Sequence, residues 1–390
     1  MKGKKNYAAF GLACLLAVSV PATALAAASD SPEFARTPEE WARLRDDRLE
    51  YDEIADLIHE YNTTVINNRI DYRDYLGKER KDISQKYRDA AKDIRDNIEF
   101  PTDYSDSAYG SLLMAARSNE DAAKNLEEMA DNNVDDAQVV MLQYQLVEEN
   151  LVQSTKLNLI AYYQKLLGNR LTQENQKLLD LQYEVAVNQA NAGTATQLEV
   201  LNAQQAAEQL ASTALSDERE TVTLRQKICV ATGWKHDAQP EFGELPTLDP
   251  EQILAIDPEA DKAAALENNY TLKINRRKLD NSTSSTVRDT LAETIRDNEQ
   301  KIASDVIAKY STLLNALSAY EVAQTEQVVA AQNLAAMEIK FQTGMASRLE
   351  YQQEVFNVFS KEIAVENAEL TLFSAWVSYE GAVNGLASTQ

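Results

Sequence analysis

Apolar residues recur at alternating steps of three and four along two stretches of the chain, residues 198–231 and 349–377. This spacing places them on one side of a helix and is typical of coiled coils. A helix of about 35 residues is roughly 50 Å long and cannot bury one side by itself. The pattern therefore predicts long helices that pack along their sides, with two polar exceptions, Asp217 and Thr221. The seam positions are Ala203, Ala207, Leu210, Ala214, Asp217, Thr221, Leu224, Ile228 and Ala231 in the first stretch, and Leu349, Phe356, Phe359, Ile363, Leu370, Phe373 and Val377 in the second.

The same short polar sequence interrupts the helical pattern twice, as NAGTATQLEV at 191–200 and as QTGMASRLEY at 342–351. Each contains a glycine, the residue type that commonly ends a helix in the left-handed conformation. Each continues with the signature of a capping box, a hydroxyl residue followed three positions later by glutamate. We therefore predict a tight turn between two antiparallel helices at both places. The residues concerned are Gly193, Thr196 and Glu199 in the first stretch and Gly344, Ser347 and Glu350 in the second.

The duplication extends beyond these turns. Asn62-Thr-Thr-Val matches Asn269-Tyr-Thr-Leu, and Ala231-Thr-Gly-Trp matches Val383-Asn-Gly-Leu as a helix stop. We therefore predict an all-α chain made of two tandem repeats, each a long antiparallel coiled-coil hairpin. The predicted boundaries are a signal peptide at 1–27, a first repeat at 28–234 with a helical insertion at about 75–130, a linker at 235–258 and a second repeat at 259–390.

The first residues have the organisation of an export signal. Three lysines precede an apolar run from Ala8 to Val20, and small residues follow at 24–26. That run is short for a membrane span, so we expect an exported protein of the cell envelope without a transmembrane helix. Cys14 loosely resembles a lipoprotein cleavage site, but the apolar run continues past it, which favours an ordinary signal-core cysteine.

The amino-acid composition limits which ligands and reactions we expect for this protein. The formal net charge of -24 disfavours contact with nucleic acid. The two histidines, His59 and His236, lie far apart in sequence, and Cys229 is the one cysteine beyond the signal. Nothing in this set builds a nucleophile, a zinc site or a phosphate loop. We therefore expect no enzyme activity, no metal and no cofactor.

The two entry motifs, the two glycine tips and the two helix stops, in this duplicated order, resemble the TolC-type outer-membrane efflux protein family. The resemblance covers most of the chain after the signal and is strongest at 190–234 and 340–386. It implies a homotrimer whose long helices form a hollow helical tunnel. It also implies a membrane-fusion-type adaptor that docks at the helical tips and an inner-membrane pump that supplies the substrate. The tip residues so implied are Gly193, Thr196, Leu198, Glu199, Gly344, Ser347, Arg348, Leu349 and Glu350.

The sequence departs from that family in one respect. Family repeats carry strands that form a membrane β-barrel, whereas residues 278–288 and 79–98 show none of the apolar alternation that such strands need. We therefore expect a TolC-like helical barrel subunit without a membrane β-barrel. Location in the outer membrane follows from the resemblance, and a periplasmic or cell-surface location follows if the barrel is missing. The alternative function is an exported coiled-coil spacer of the envelope with no conduit.

Overall fold

The computed structural model describes residues 36–105 and 107–390. The predicted signal peptide at 1–27 and Cys14 lie outside the described residues. The chain divides into two units, Met1–Ala42 and Arg43–Gln390. The described part of the first unit contains the start of a short helix, where the Thr37 hydroxyl accepts a hydrogen bond from the Glu40 N–H at 3.2 Å.

Helix dominates the described residues, which confirms the all-α prediction. The helices there are α1 (Pro38–Arg43), α2 (Ile54–Tyr61), α3 (Thr63–Tyr72), α4 (Arg80–Asp96), α5 (Tyr109–Asn132), α6 (Ala137–Asn191), α7 (Gln197–Ala231), α8 (Pro250–Leu254), α9 (Pro258–Asn268), α10 (Tyr270–Asn281), α11 (Ser285–Gln342) and α12 (Arg348–Gly381). A 3-10 turn spans Tyr51–Glu53, and a π-helical turn spans Ala382–Leu386. Two short strands, β1 (Arg48–Leu49) and β2 (Glu241–Phe242), pair in parallel.

Four long helices form two hairpins. The first hairpin consists of α6 and α7, with 55 and 35 residues, and the second consists of α11 and α12, with 58 and 34 residues. Within each hairpin the helices pack along their length, and α6 also packs on α12. The four helices therefore lie in the order α7, α6, α12, α11. Every predicted seam position is buried or half-buried, so the coiled-coil spacing is confirmed.

The two hairpins run side by side and turn at the same end. Gln153 on α6 donates a hydrogen bond to the Val377 carbonyl on α12 at 2.9 Å, and farther along α6 Arg170 contacts Glu366 at 3.1 Å. Residue numbers rise along α6 as they fall along α12, so the two helices are antiparallel. Because α6 ends at the first turn and α12 begins at the second, both turns lie at one end.

In each repeat, the duplicated asparagine forms a hydrogen bond between the start of the repeat and its end. The Asn62 side chain caps α3 through Oδ1 and donates through Nδ2 to the Ala231 carbonyl at 2.8 Å. Asn269 caps α10 in the same way and donates to the Ala387 carbonyl at 3.0 Å. One side chain thus satisfies unpaired groups at two helix ends, which explains why the motif occurs once in each repeat.

The glycine stops are required by close contact as well as by conformation. Gly233 has φ of +87°, and a Cβ there would lie 2.2 Å from the Tyr61 Cβ. Gly385 has φ of +121°, and a Cβ there would lie 2.9 Å from the Asn268 carbonyl oxygen. Both glycines therefore pack against the residues just before the entry asparagines, which holds the two ends of each repeat together.

The helices α4 and α5 form a separate antiparallel pair. Alanines make its seam, with Ala91 and Ala123 fully buried, and Arg95 of α4 forms ion pairs with Glu120 and Glu127 of α5. The pair joins the rest of the unit where the Ala137 N–H donates to the Lys78 carbonyl at 3.2 Å. No helix within the described ranges is both long and apolar enough to cross a membrane.

Candidate functional site

The two hairpin turns, here called the tips, are residues 192–196 and 343–347. Both glycines are left-handed, with φ of +74° at Gly193 and +72° at Gly344, and open space surrounds the position of a Cβ. Each tip ends its incoming helix with the same two backbone bonds. The pairs are Gly193 N–H to Ala190 O at 3.0 Å and Thr194 N–H to Gln189 O at 2.9 Å, and Gly344 N–H to Phe341 O at 3.0 Å and Met345 N–H to Lys340 O at 2.7 Å. This pattern is a Schellman stop.

Both outgoing helices begin with the predicted capping box. The Thr196 N–H donates to Glu199 Oε2 at 2.6 Å, and the Glu199 N–H donates to the Thr196 hydroxyl at 3.3 Å. In the second tip the corresponding distances between Ser347 and Glu350 are 2.7 and 3.2 Å. The backbone hydrogen bond, followed by the hydroxyl hydrogen bond, lowers the pKa of both glutamates. Each glutamate side chain therefore serves as a cap while it remains fully exposed.

The remaining predicted tip residues differ between the two copies. Leu198 is 65% exposed, whereas the equivalent Leu349 is half-buried. Arg348 is exposed and has no ion-pair partner in the described part of the chain, and its counterpart Gln197 is neutral. The second tip therefore offers one unneutralised cation that the first tip lacks.

An aromatic pair distinguishes the second tip further. Phe341 stacks on Tyr351 with ring centroids 4.8 Å apart and an interplanar angle of 12°. The first tip has Ala190 and Val200 at these positions. Met345, in the same tip, is 73% exposed. Sequence reasoning missed this pair, because the two residues lie ten positions apart and become neighbours only when the turn reverses the chain.

The two histidines and Cys229 differ in their surroundings, and His236 is exposed. The Nδ1 atom of His59 lies 2.7 Å from Glu148 Oε1, and His236 lies between α7 and β2. Cys229 is fully buried, and burial raises the pKa of its thiol. Residues 36–105 and 107–390 contain no group of three or more His, Cys, Asp or Glu side chains that could hold a metal ion.

Solved structures of other proteins have a similar fold. No protein-family model and no curated protein matches the sequence. A membrane protein from Pseudomonas aeruginosa matches with 12% identity and a TM-score of 0.55 over 85% of this chain and 93% of its own. The outer membrane protein VceC from Vibrio cholerae matches with 10% identity and a TM-score of 0.52 over 86% of this chain and 96% of its own.

At these identities the similarity concerns the fold. It extends over most of the length of this chain and of each matched chain. The resemblance in the duplicated motifs and the similarity in three dimensions agree. The chain has the fold of the TolC-type outer-membrane efflux proteins, built from two tandem helical hairpins.

Proposed function

We propose that the chain is the conduit-forming component of an efflux system in the cell envelope. Three copies would close into a helical tunnel, with all six tips at one end. A membrane-fusion-type adaptor would dock at these tips and connect the tunnel to an inner-membrane pump. The fold supports this function, and so do the two equivalent tips at one end of the row of helices.

The observation that carries the proposal is the pair of open edges. In the order α7, α6, α12, α11, the two outer helices each have one side without a neighbour in the row. Both helices carry exposed apolar side chains, and a contiguous patch of such side chains would be unfavourable in a soluble monomer. These side chains are Leu201, Leu215, Val222 and Val230 on α7, and Ile307, Val322, Val328, Val329 and Ile339 on α11.

Because the two open edges belong to different helices, α7 and α11, they favour a ring of copies. If α7 of one copy packs on α11 of the next, the contact is head-to-tail, and such contacts generate closed rings when the rotation closes. The coiled-coil seams within each hairpin show that helices of this length and composition already pack side by side. The contact between copies would extend the same packing around the tunnel. The resemblance implies three copies and a location at the outer membrane.

The tips supply the docking surface in this proposal. They are exposed, they lie at the end of the long helices, and their backbone is fixed by capping boxes. Exposed Leu198 and Met345 offer apolar contact, and Arg348 offers charge to a helical adaptor. Glu199 and Glu350 add acidic groups close to the tunnel entrance.

The test is the oligomeric state of residues 28–390, measured by light scattering coupled to size exclusion without detergent. We expect a trimer. Leu215→Glu places a charge on the α7 edge and should shift the protein to monomer. Thr213→Glu adds the same charge to an exposed residue about 200° around α7 from Leu215 and should leave the trimer intact.

A protein that stays monomeric at high concentration would contradict the conduit. The exported coiled-coil spacer would then be the better account of the two hairpins. A trimer that Leu215→Glu does not disturb would place the contact between copies on another surface.

A further inference from the structure

The α4–α5 pair is joined to the rest of the chain at one end. There the Asn281 side chain of α10 donates to the Val134 carbonyl at 2.9 Å, and the Arg277 guanidinium donates to Asp136 Oδ2 at 2.7 Å. Beyond this junction, no other helix of the described ranges packs along α4 or α5. The pair is therefore an arm that begins at the start of α6, and the 55 residues of α6 separate its base from the first tip by roughly 80 Å of helix.

The free end of the arm consists of the loop between α4 and α5 and the first two turns of α5. Phe100 and Tyr104 in the loop are 54% and 82% exposed, and Leu112 and Met114 in α5 are 48% and 69% exposed. The ring of Tyr104 lies beside that of Tyr109, with centroids 4.8 Å apart. Exposed aromatic and aliphatic side chains are thus concentrated where the arm ends.

The sides of the arm are different from its end. Arg95, in the last turn of α4, pairs with Glu120 and Glu127, so the first turns of α5 lie beyond the end of α4. The exposed side chains along the rest of both helices are mostly charged or polar. They include Arg88, Asp89, Lys92, Lys124, Asn125 and Glu128. Water therefore solvates the sides of the arm well, and its exposed apolar side chains lie mainly at the end.

The size of the end decides what can cover it. Two helices side by side have a cross-section of about 20 by 10 Å, so their end offers roughly 200 Å². A specific protein interface buries about 800 Å² on each partner. A bilayer surface needs no such area, because it admits single apolar side chains to a depth of about 5–10 Å. Tyrosine is enriched at that depth, since its ring is apolar and its hydroxyl is polar.

The charge of the end decides which lipid it fits. Residues 97–116 contain three carboxylates and no lysine or arginine. This segment therefore lacks the cations that attract anionic headgroups. One of the carboxylates, that of Asp103, accepts from the Ser105 N–H at 2.9 Å and from the Ser105 hydroxyl at 2.6 Å, so it is used within the loop. A headgroup without net charge suits this end better than an anionic one.

We propose that the end of the α4–α5 arm binds the surface of a bilayer of zwitterionic phospholipid. Phe100, Tyr104, Leu112 and Met114 enter the boundary between headgroups and acyl chains, and the charged sides of the arm stay in water. This contact goes beyond the conduit function and does not depend on the number of copies. In a ring of copies, several arms would bind the same surface and strengthen attachment through their combined contacts.

Vesicle flotation tests the contact with purified residues 28–390. We expect the protein to float with vesicles of phosphatidylcholine, and added phosphatidylglycerol should weaken binding about twofold or more, because the carboxylates then face anionic headgroups. Light scattering on the same preparation reports the oligomeric state. A monomer that floats would contradict the conduit and support the arm, whereas a trimer that does not float would do the reverse.

Matched variants test the residues. Leu112→Ser with Met114→Ser should weaken binding at least about fivefold, because apolar surface that enters the bilayer is lost. Leu76→Ser with Met129→Ser removes the same two side-chain types, similarly exposed, near the base of the arm and should change binding less than about twofold. Phe100→Ser with Tyr104→Ser should weaken binding at least about tenfold, since two aromatic anchors are lost. Circular dichroism should show unchanged helix content in all three variants.

A dye that responds to the polarity of its surroundings reports which part of the arm meets the bilayer. Because Cys229 is fully buried, the dye can be attached to Ser107→Cys in the loop or to Lys92→Cys in the middle of α4. Vesicles should shift the emission to shorter wavelength at position 107 and leave it unchanged at position 92. The proposal is overturned if the protein does not float with phosphatidylcholine, if phosphatidylglycerol strengthens binding, if the two leucine–methionine variants lose affinity equally, or if both dyes respond alike.

Discussion

The two hairpins end in the same tip but are held together by different contacts. In the first hairpin, Asn169 donates to the Thr221 hydroxyl across the seam at 3.1 Å, and Lys165 pairs with Asp217. In the second, the corresponding part of the seam belongs to an apolar core that includes Leu313. The tips are equivalent although the seams are not. A short capping sequence therefore determines the turn. The residues along the seam determine how strongly the two helices of a hairpin pack on each other.

The polar seam carries an unpaired group. The side-chain oxygen of Asn169 is buried and has no hydrogen-bond partner in the described ranges. A buried acceptor without a donor costs about 1–3 kcal/mol. The apolar seam has Leu313 fully buried and Leu317 4% exposed. We therefore expect the second hairpin to be the more stable of the two.

The largest loss of stability should come from substituting a glycine, and its size should differ between the helix stops and the tips. Gly233→Ala forces a left-handed alanine into contact with Tyr61, so we expect a loss of about 3 kcal/mol or more, or failure to fold. Gly193→Ala and Gly344→Ala meet open space and should each cost about 1 kcal/mol, the strain of the backbone alone. Thermal denaturation followed by circular dichroism measures all three. Equal losses at Gly233 and Gly193 would contradict the close packing at the stop.

A second pair of variants compares the seams directly. Leu317→Ala in α11 should destabilise the protein by about 2–5 kcal/mol, because it opens a cavity in a buried core. Leu210→Ala in α7 removes a half-buried side chain and should cost about 1 kcal/mol. Urea unfolding gives both values. If the two losses are equal, the first hairpin is as tightly packed as the second, and the comparison fails.

The polar seam can also be made apolar. Replacing Asn169 by leucine and Thr221 by valine together removes the unpaired oxygen and should stabilise the protein by about 1–2 kcal/mol. Asn169→Leu alone should give less, since the Thr221 hydroxyl then loses its donor. A lower unfolding midpoint in the double variant would show that the polar pair supports the seam.

The sequence predicted those parts of the fold that depend on residues close together in the chain. Heptad spacing gave the seams, and the Gly-x-x-Thr/Ser-x-x-Glu pattern gave both tips with their caps. It did not predict that Asn62 would reach Ala231, 169 positions away, although the duplicated asparagine marked the position. The Phe341–Tyr351 stack was also missed, because this contact depends on how the turn brings distant side chains together and leaves no periodic signal.

The smallest expected effect is a pH dependence confined to the tips. The backbone and hydroxyl hydrogen bonds lower the pKa of Glu199 and Glu350 below their ordinary value of 4.5. The caps therefore contribute stability above the unfolded pKa and lose it as the pH falls through the folded pKa. Hydrogen exchange of the first turns of α7 and α12, compared with Glu199→Gln and Glu350→Gln at each pH, should show protection that disappears on acidification. The charge of Lys340 adds a weaker influence at Glu350 alone, so the second tip should keep its protection to slightly lower pH. If the first tip outlasts the second, the lysine is not near enough to act, and the two tips differ in some other way.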